Sequence, residues 1–154
     1  MTLKRIIKKI LSLIVTIIVL VNVINLWVDH RQEVEEYEAF YEKRHLTAED
    51  LKVESSWKSC TTIGDAPFGE VRYKKLYGAE YIGEYEIDKN GGINVVSTTG
   101  KPVKVLILDE KGNERFYKEV SELDFEPGEA GGYDVYLVGN KITGGVKIRI
   151  YRCE

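Results

Sequence analysis

The side chains that carry most protein chemistry are few in this chain, and their spacing argues against the familiar catalytic arrangements. The two histidines, His30 and His45, lie in a charged segment that precedes the strand-rich sequence. A Ser–His or Cys–His nucleophile pair would need that segment to fold back onto the strands. Neither histidine belongs to a His-x-x-x-His or Cys-x-x-Cys pattern, so no zinc site is expected, nor any other metal or cofactor. Glu84, Glu86 and Asp88 alternate with Tyr85 and Ile87, which places three carboxylates on one strand face. Crowded carboxylates can hold a cation or shift one another's pKa. The acids of a glycosidase, however, face each other across a cleft, so a solvated sheet face is the reading here. Asp88-Lys89-Asn90-Gly91-Gly92 opens like a calcium loop but lacks the later acidic ligands, and Asn-Gly is a turn signal in its own right. Gly139 through Gly145 contains a G-x-x-x-x-G spacing, yet Val146 and Lys147 follow it in place of Lys and Ser/Thr, and no helix does. No catalytic residue emerges, and the chain is read as a non-enzyme.

Three groups of residues invite binding or linkage. Tyr73, Tyr77, Tyr81 and Tyr85 recur at every fourth position. On an extended chain they share a face and can form a ligand or partner surface, each ring combining an apolar body with a polar tip. Gly78 and Gly83 are expected to break the segment into two strands, and cross-strand packing of the same rings is the favoured reading. Cys60 and Cys153 are the two cysteines. A bridge between them would tie the ends of the strand-rich segment together and contribute up to about 4–5 kcal/mol. Asn22 and Asn25 fall on one face of an apolar helix, where interhelical hydrogen bonds of about 0.5–2 kcal/mol can drive self-association.

The elements that carry these groups change character along the chain. Between Ile10 and Val28 there is no charged residue, and only Ser12, Thr16, Asn22 and Asn25 are polar. As a helix this run spans roughly 28 Å, the thickness of a bilayer's hydrocarbon core. Ile6 and Ile7 extend it, and Trp27 sits where an interfacial aromatic belongs, so residues 6–28 are read as the lipid contact. Lys4, Arg5, Lys8 and Lys9 precede the run, while Asp29, Glu33, Glu35, Glu36 and Glu38 follow it. This asymmetry sets the N-terminus in the cytoplasm and the rest outside. Bulky residues at 25–28, where a signal peptidase needs small ones, favour a retained signal anchor over a cleaved peptide.

Residues 1–28 are thus expected to be a transmembrane anchor. Residues 29–54, free of glycine and proline, are expected to form a charged helical stalk, with Thr47-Ala48-Glu49-Asp50 as a capping box for a restarted helix. Residues 55–154 alternate β-prone runs with glycine-rich turns. The expected strands are Trp57–Ile63, Glu70–Tyr77, Tyr81–Asp88, Ile93–Ser97, Val103–Asp109, Glu114–Val120, Tyr133–Val138 and Val146–Arg152. Turns are expected at Asp109–Asn113 and Asn140–Gly144. The fold class is all-β: an antiparallel β-sandwich of Greek-key or jelly-roll type, with a partly open barrel as the alternative.

Over roughly residues 84–151, Gly83-Glu84-Tyr85-Glu86-Ile87 and Gly131-Gly132-Tyr133-Asp134-Val135 resemble small extracytoplasmic β-sandwich modules of Gram-positive bacterial surface proteins. The resemblance implies a style of fold and no activity. A net charge of −3, with the only basic cluster flanking the membrane run, speaks against nucleic acid. The expected role is a membrane-tethered binding or accessory module for a protein or glycan outside the cytoplasm. The alternatives are a membrane-assembly subunit acting through anchor and stalk, and an enzyme of envelope carbohydrate.

Overall fold

A computed structural model describes residues 3–63, 70–98 and 100–152. The chain divides into two compact units, Met1–Ala39 and Phe40–Glu154. Helix α1, Leu3–Tyr41, supplies the first unit and ends two residues inside the second. No glycine or proline interrupts it. Its most apolar 18-residue window has a mean hydropathy of 2.5, and none of that window is buried. A helix satisfies all its backbone groups internally, the condition for crossing lipid. This one is long and apolar enough to do so, which supports a single-pass membrane anchor.

The second unit is an antiparallel β-sheet of seven strands: β1 (Ser59–Ile63), β2 (Glu70–Ile87), β3 (Gly91–Ser97), β4 (Val103–Asp109), β5 (Glu114–Val120), β6 (Glu122–Phe125) and β7 (Gly131–Arg152). β7 is the hub. One of its edges pairs with β2 from Gly131 to Lys147. The other takes β4 along Tyr133–Val138 and then β3 along Val146–Arg152. β5 pairs with β4 and β6 with β3, and only Ser121 separates β5 from β6. The all-β, antiparallel expectation holds. All the strands join one hydrogen-bonded sheet, however, so the pairings do not divide into the two sheets of a sandwich.

Two expected breaks between strands dissolve into long strands. Glu70–Tyr77 and Tyr81–Asp88 are one strand, and so are Tyr133–Val138 and Val146–Arg152, with Asn140–Gly144 paired to β2 where a hairpin was expected. The reason lies in matched bulges. Between Tyr73/Gly144 and Leu76/Ile142 the extra residue is on β2; between Leu76/Ile142 and Tyr77/Asn140 it is on β7. Lys75 (φ 55°) and Lys141 (φ 60°) take the left-handed conformation that such bulges require, and the Lys75 N–H donates to Thr143 Oγ1 at 3.3 Å. The two insertions cancel, so the register resumes beyond them. Gly78 sits opposite Gly139, where a Cβ on Gly139 would fall 2.7 Å from the Leu76 carbonyl oxygen. Here glycine permits close pairing rather than a break. β6, Glu-Leu-Asp-Phe, alternates exposed Glu122 and Asp124 with half-buried Leu123 and Phe125, and four residues are too few for that alternation to mark a strand.

One core is drawn from both ends of the sheet. It holds Tyr73, Leu76, Tyr85 and Ile87 from β2, Ile93 and Val95 from β3, Val103, Val105 and Ile107 from β4, and Tyr133, Val135, Leu137, Val146 and Ile148 from β7. Strands so far apart in the pairing order meet only because bulged strands bend the sheet around this cluster. The opposite face buries Ala79, Leu106, Leu108, Tyr117 and Val138 beneath Phe40, Tyr41, Leu46 and Leu51. β4 is therefore buried on both faces, as its continuous apolar run implies. The compact unit consequently includes residues 40–54.

Two substitutions test this ribbon. Gly139→Ala is expected to destabilise the domain by about 1–3 kcal/mol, because the added methyl meets backbone. Lys141→Gly is expected to stabilise it by up to about 1 kcal/mol by relieving the left-handed conformation. Urea unfolding of the detergent-solubilised chain reads both; the reverse ranking would contradict the bulge assignment.

Candidate functional site

The covering segment is fastened from two sides. Lys104 on β4 points its ammonium at the end of α1 and donates to the carbonyls of Tyr41 and, at 3.0 Å, of Lys43. The last turn of α1 has no basic residue of its own, so a strand lysine supplies the cation that a helix C-terminus favours. The same ammonium lies 4.4 Å from the Tyr117 ring centre and 4.9 Å from that of Tyr41. Burial pushes the Lys104 pKa down, against the opposing pull of Glu119 and Glu42. The Tyr41 hydroxyl donates to Glu119 at 2.6 Å, and burial together with that carboxylate drives its pKa upward. Beyond this clasp, Asp50 accepts from both the N–H and the hydroxyl of Thr47, while its own N–H donates back to Thr47 Oγ1. The capping box expected at 47–50 therefore forms, opening a single 3₁₀ turn at Asp50–Lys52.

That turn forms one wall of an open groove of about 430 Å³. Leu51, Val53, Ser55 and Trp57 face Ala79, Glu80 and Tyr81 of β2 and Tyr136 of β7. Trp57 is 44% exposed and Tyr81 50% exposed, although both are large aromatics. Tyr81 packs against Tyr136 with ring centres 5.1 Å apart and planes tilted by 56°, and donates to Asp134 at 2.9 Å. Burial and that carboxylate raise its pKa to about 12, so the ring stays a neutral hydroxyl donor. Trp57 meets Tyr73 edge-on at 6.3 Å. Ser55 donates to Glu80, leaving that carboxylate further acceptor capacity on the rim.

The four tyrosines do not share a face. Tyr73 and Tyr85 are buried in the main core, Tyr77 is half-buried opposite Asn140, and Tyr81 alone among them lies in the groove. The bulges at 73–77 and at Ile82 each flip the alternation, which a four-residue repeat cannot anticipate. Trp57 and Tyr136 are the aromatic partners that the repeat did not include. Trp57 belonged to an expected strand, but the strand proper begins at Ser59.

Cys60 carries a free, exposed thiol, so the expected Cys60–Cys153 bridge is not supported; Cys153 itself lies outside the described residues. Asn22 and Asn25 lie in α1. His45 Nδ1 contacts Glu114 at 3.1 Å, so the segment does fold back, but onto a carboxylate. Glu84, Glu86 and Asp88 are exposed while Tyr85 and Ile87 are buried. A Cβ on Gly132 would lie 2.7 Å from a Glu84 oxygen and 3.4 Å from one of Glu86, and Glu110 accepts the Gly132 N–H at 2.9 Å. Among the described residues, no group of three or more His, Cys, Asp or Glu is arranged to hold a metal ion. The Asp88 carbonyl closes a turn with the Gly91 N–H at 2.8 Å, and Gly139–Gly145 is strand.

No known protein-family model matches the chain, and no curated protein matches its sequence. The groove's geometry therefore carries the functional reading.

The groove wall has a pH limit. Lys43 and Thr47 hold the Asp50 carboxyl at about 2, below the roughly 3.9 of an unfolded aspartate. A depressed carboxylate pKa contributes stability above the unfolded value and loses it as pH falls from about 4 to 2. Trp57 fluorescence, read in a Trp27→Phe background, is expected to change in that window, and Asp50→Asn is expected to flatten the change.

Proposed function

We propose that this protein is a membrane-tethered, non-enzymatic binding module whose contact site is the groove between residues 51–57 and strands β2 and β7. The exposure of Trp57 and Tyr81 beside carboxylates with spare acceptor capacity carries the reading. Half-exposed aromatics in a concave site stabilise the domain little and offer a partner large apolar area at low entropic cost. The curled sheet serves as a sandwich-like scaffold that presents the groove. The basic flank Lys4–Lys9 and the acidic stretch after the apolar run support a cytoplasmic N-terminus and an extracytoplasmic β unit. With Cys60 unbridged, this charge asymmetry is the sole support for that orientation. A membrane-assembly subunit is the second reading, favoured by the wholly exposed apolar window of α1 and its Asn22 and Asn25.

Replacing both Trp57 and Tyr81 by Ala is expected to abolish capture of a partner from solubilised native membranes while moving the thermal midpoint by only a few degrees. Undiminished capture would remove the groove from consideration.

A further inference from the structure

Among the described residues, β2 is paired on both sides only near its start. β1 covers Glu70–Lys74, and a single bridge joins Ser56 to Tyr77. From Ala79 to Ile87 the described residues pair with β2 on one side alone, through β7. Alternate N–H and C=O groups along this stretch consequently face outward without a strand partner, and such an edge is a template for another chain. Proteins commonly blunt such edges with lysine or proline. Between Leu76 and Ile87 this edge has neither, and no arginine.

What it has is negative charge. Glu80, Glu84 and Glu86 lie on the strand itself, and Glu84 and Glu86 lean over Gly132 toward Glu110. Asp134 stands opposite Glu84. A second copy pairing edge to edge in antiparallel fashion would bring glutamates against glutamates, which repel. A strand of opposite charge would meet them favourably. The aromatic groove at 53–57 and 79–81 begins at the end of the edge where β1 departs.

We infer that the open edge of β2 over residues 79–87 is completed by an extended, basic segment of a partner polypeptide, which adds as a further antiparallel or parallel strand. Main-chain hydrogen bonds supply the affinity. Lys or Arg side chains on one face meet Glu84 and Glu86, and one end of the segment reaches Trp57 and Tyr81. The inference rests on the reading of this face as the contact surface and assigns its partner a chemistry.

The test uses the full-length chain in nanodiscs and a capped peptide of about eight residues alternating lysine and threonine. Two comparison peptides carry glutamate for lysine, or methylated alternate amides. The lysine peptide is expected to bind at least about tenfold more tightly than either, because each comparison removes charge pairing or several main-chain hydrogen bonds. Bound peptide is also expected to slow amide exchange over residues 79–87. Glu84→Lys combined with Glu86→Lys, at exposed positions, is expected to lose the lysine peptide at an unchanged thermal midpoint. Equal binding of the methylated peptide, or unaltered exchange at 79–87, would overturn strand addition and leave the groove to its own test. Slowed exchange with tight binding, in a protein whose Trp57→Ala/Tyr81→Ala variant still captures its native partner, supports strand addition and removes the groove reading instead.

Discussion

Glu70 through Ile87 pair with Lys147 back through Gly131, and every other strand reaches the sheet across one of these two partners. β1 adds to β2; β3 and β4 add to β7, and bring β6 and β5 with them. A ribbon this long would twist away from any single core if it stayed regular. The offsetting bulges at Lys75 and Lys141, and the further extra residue at Ile82, bend it so that residues from both ends converge on one cluster. The strain of two non-glycine residues at positive φ, of order 1–2 kcal/mol each, is offset by the continuous pairing and burial that it permits.

The outer face of the same ribbon sets the second constraint. A sheet with apolar residues on both faces needs a cover, and residues 40–57 provide it. Lys104 is the centre of that cover: a half-buried cation held by two backbone carbonyls and two aromatic rings, with Glu119 close by. Beneath it the Tyr117 hydroxyl is buried and has no hydrogen-bond partner among the described residues. By closing the outer face only as far as Trp57, the cover leaves the groove as its margin. Site and seam are consequences of one packing solution.

Much of this was legible from the residues. The apolar run, the both-face burial of Val103–Asp109, the Thr47–Asp50 capping box and the Asp88–Gly91 and Asp109–Asn113 turns follow from local patterns, and the structure has them. What local pattern could not supply was pairing. Gly78 and Asn140–Gly144 carry turn chemistry, but each is held in a strand by the opposite chain. The tyrosine repeat failed for the same reason, since bulges defined by the partner strand sent Tyr73 and Tyr85 inward and left Tyr81 outside. Trp57 had no repeat or motif to mark it; its role depends on where the cover ends.

The division of labour between helix and β unit remains the central point, because α1 and the groove imply different kinds of partner. Replacing residues 3–39 with an unrelated membrane-spanning helix, and crosslinking in native membranes, separates them. A binding role seated in residues 40–154 requires the same crosslinked partner with either helix. Loss of that partner, with the β unit still folded and membrane-bound, would contradict it and move the function to α1.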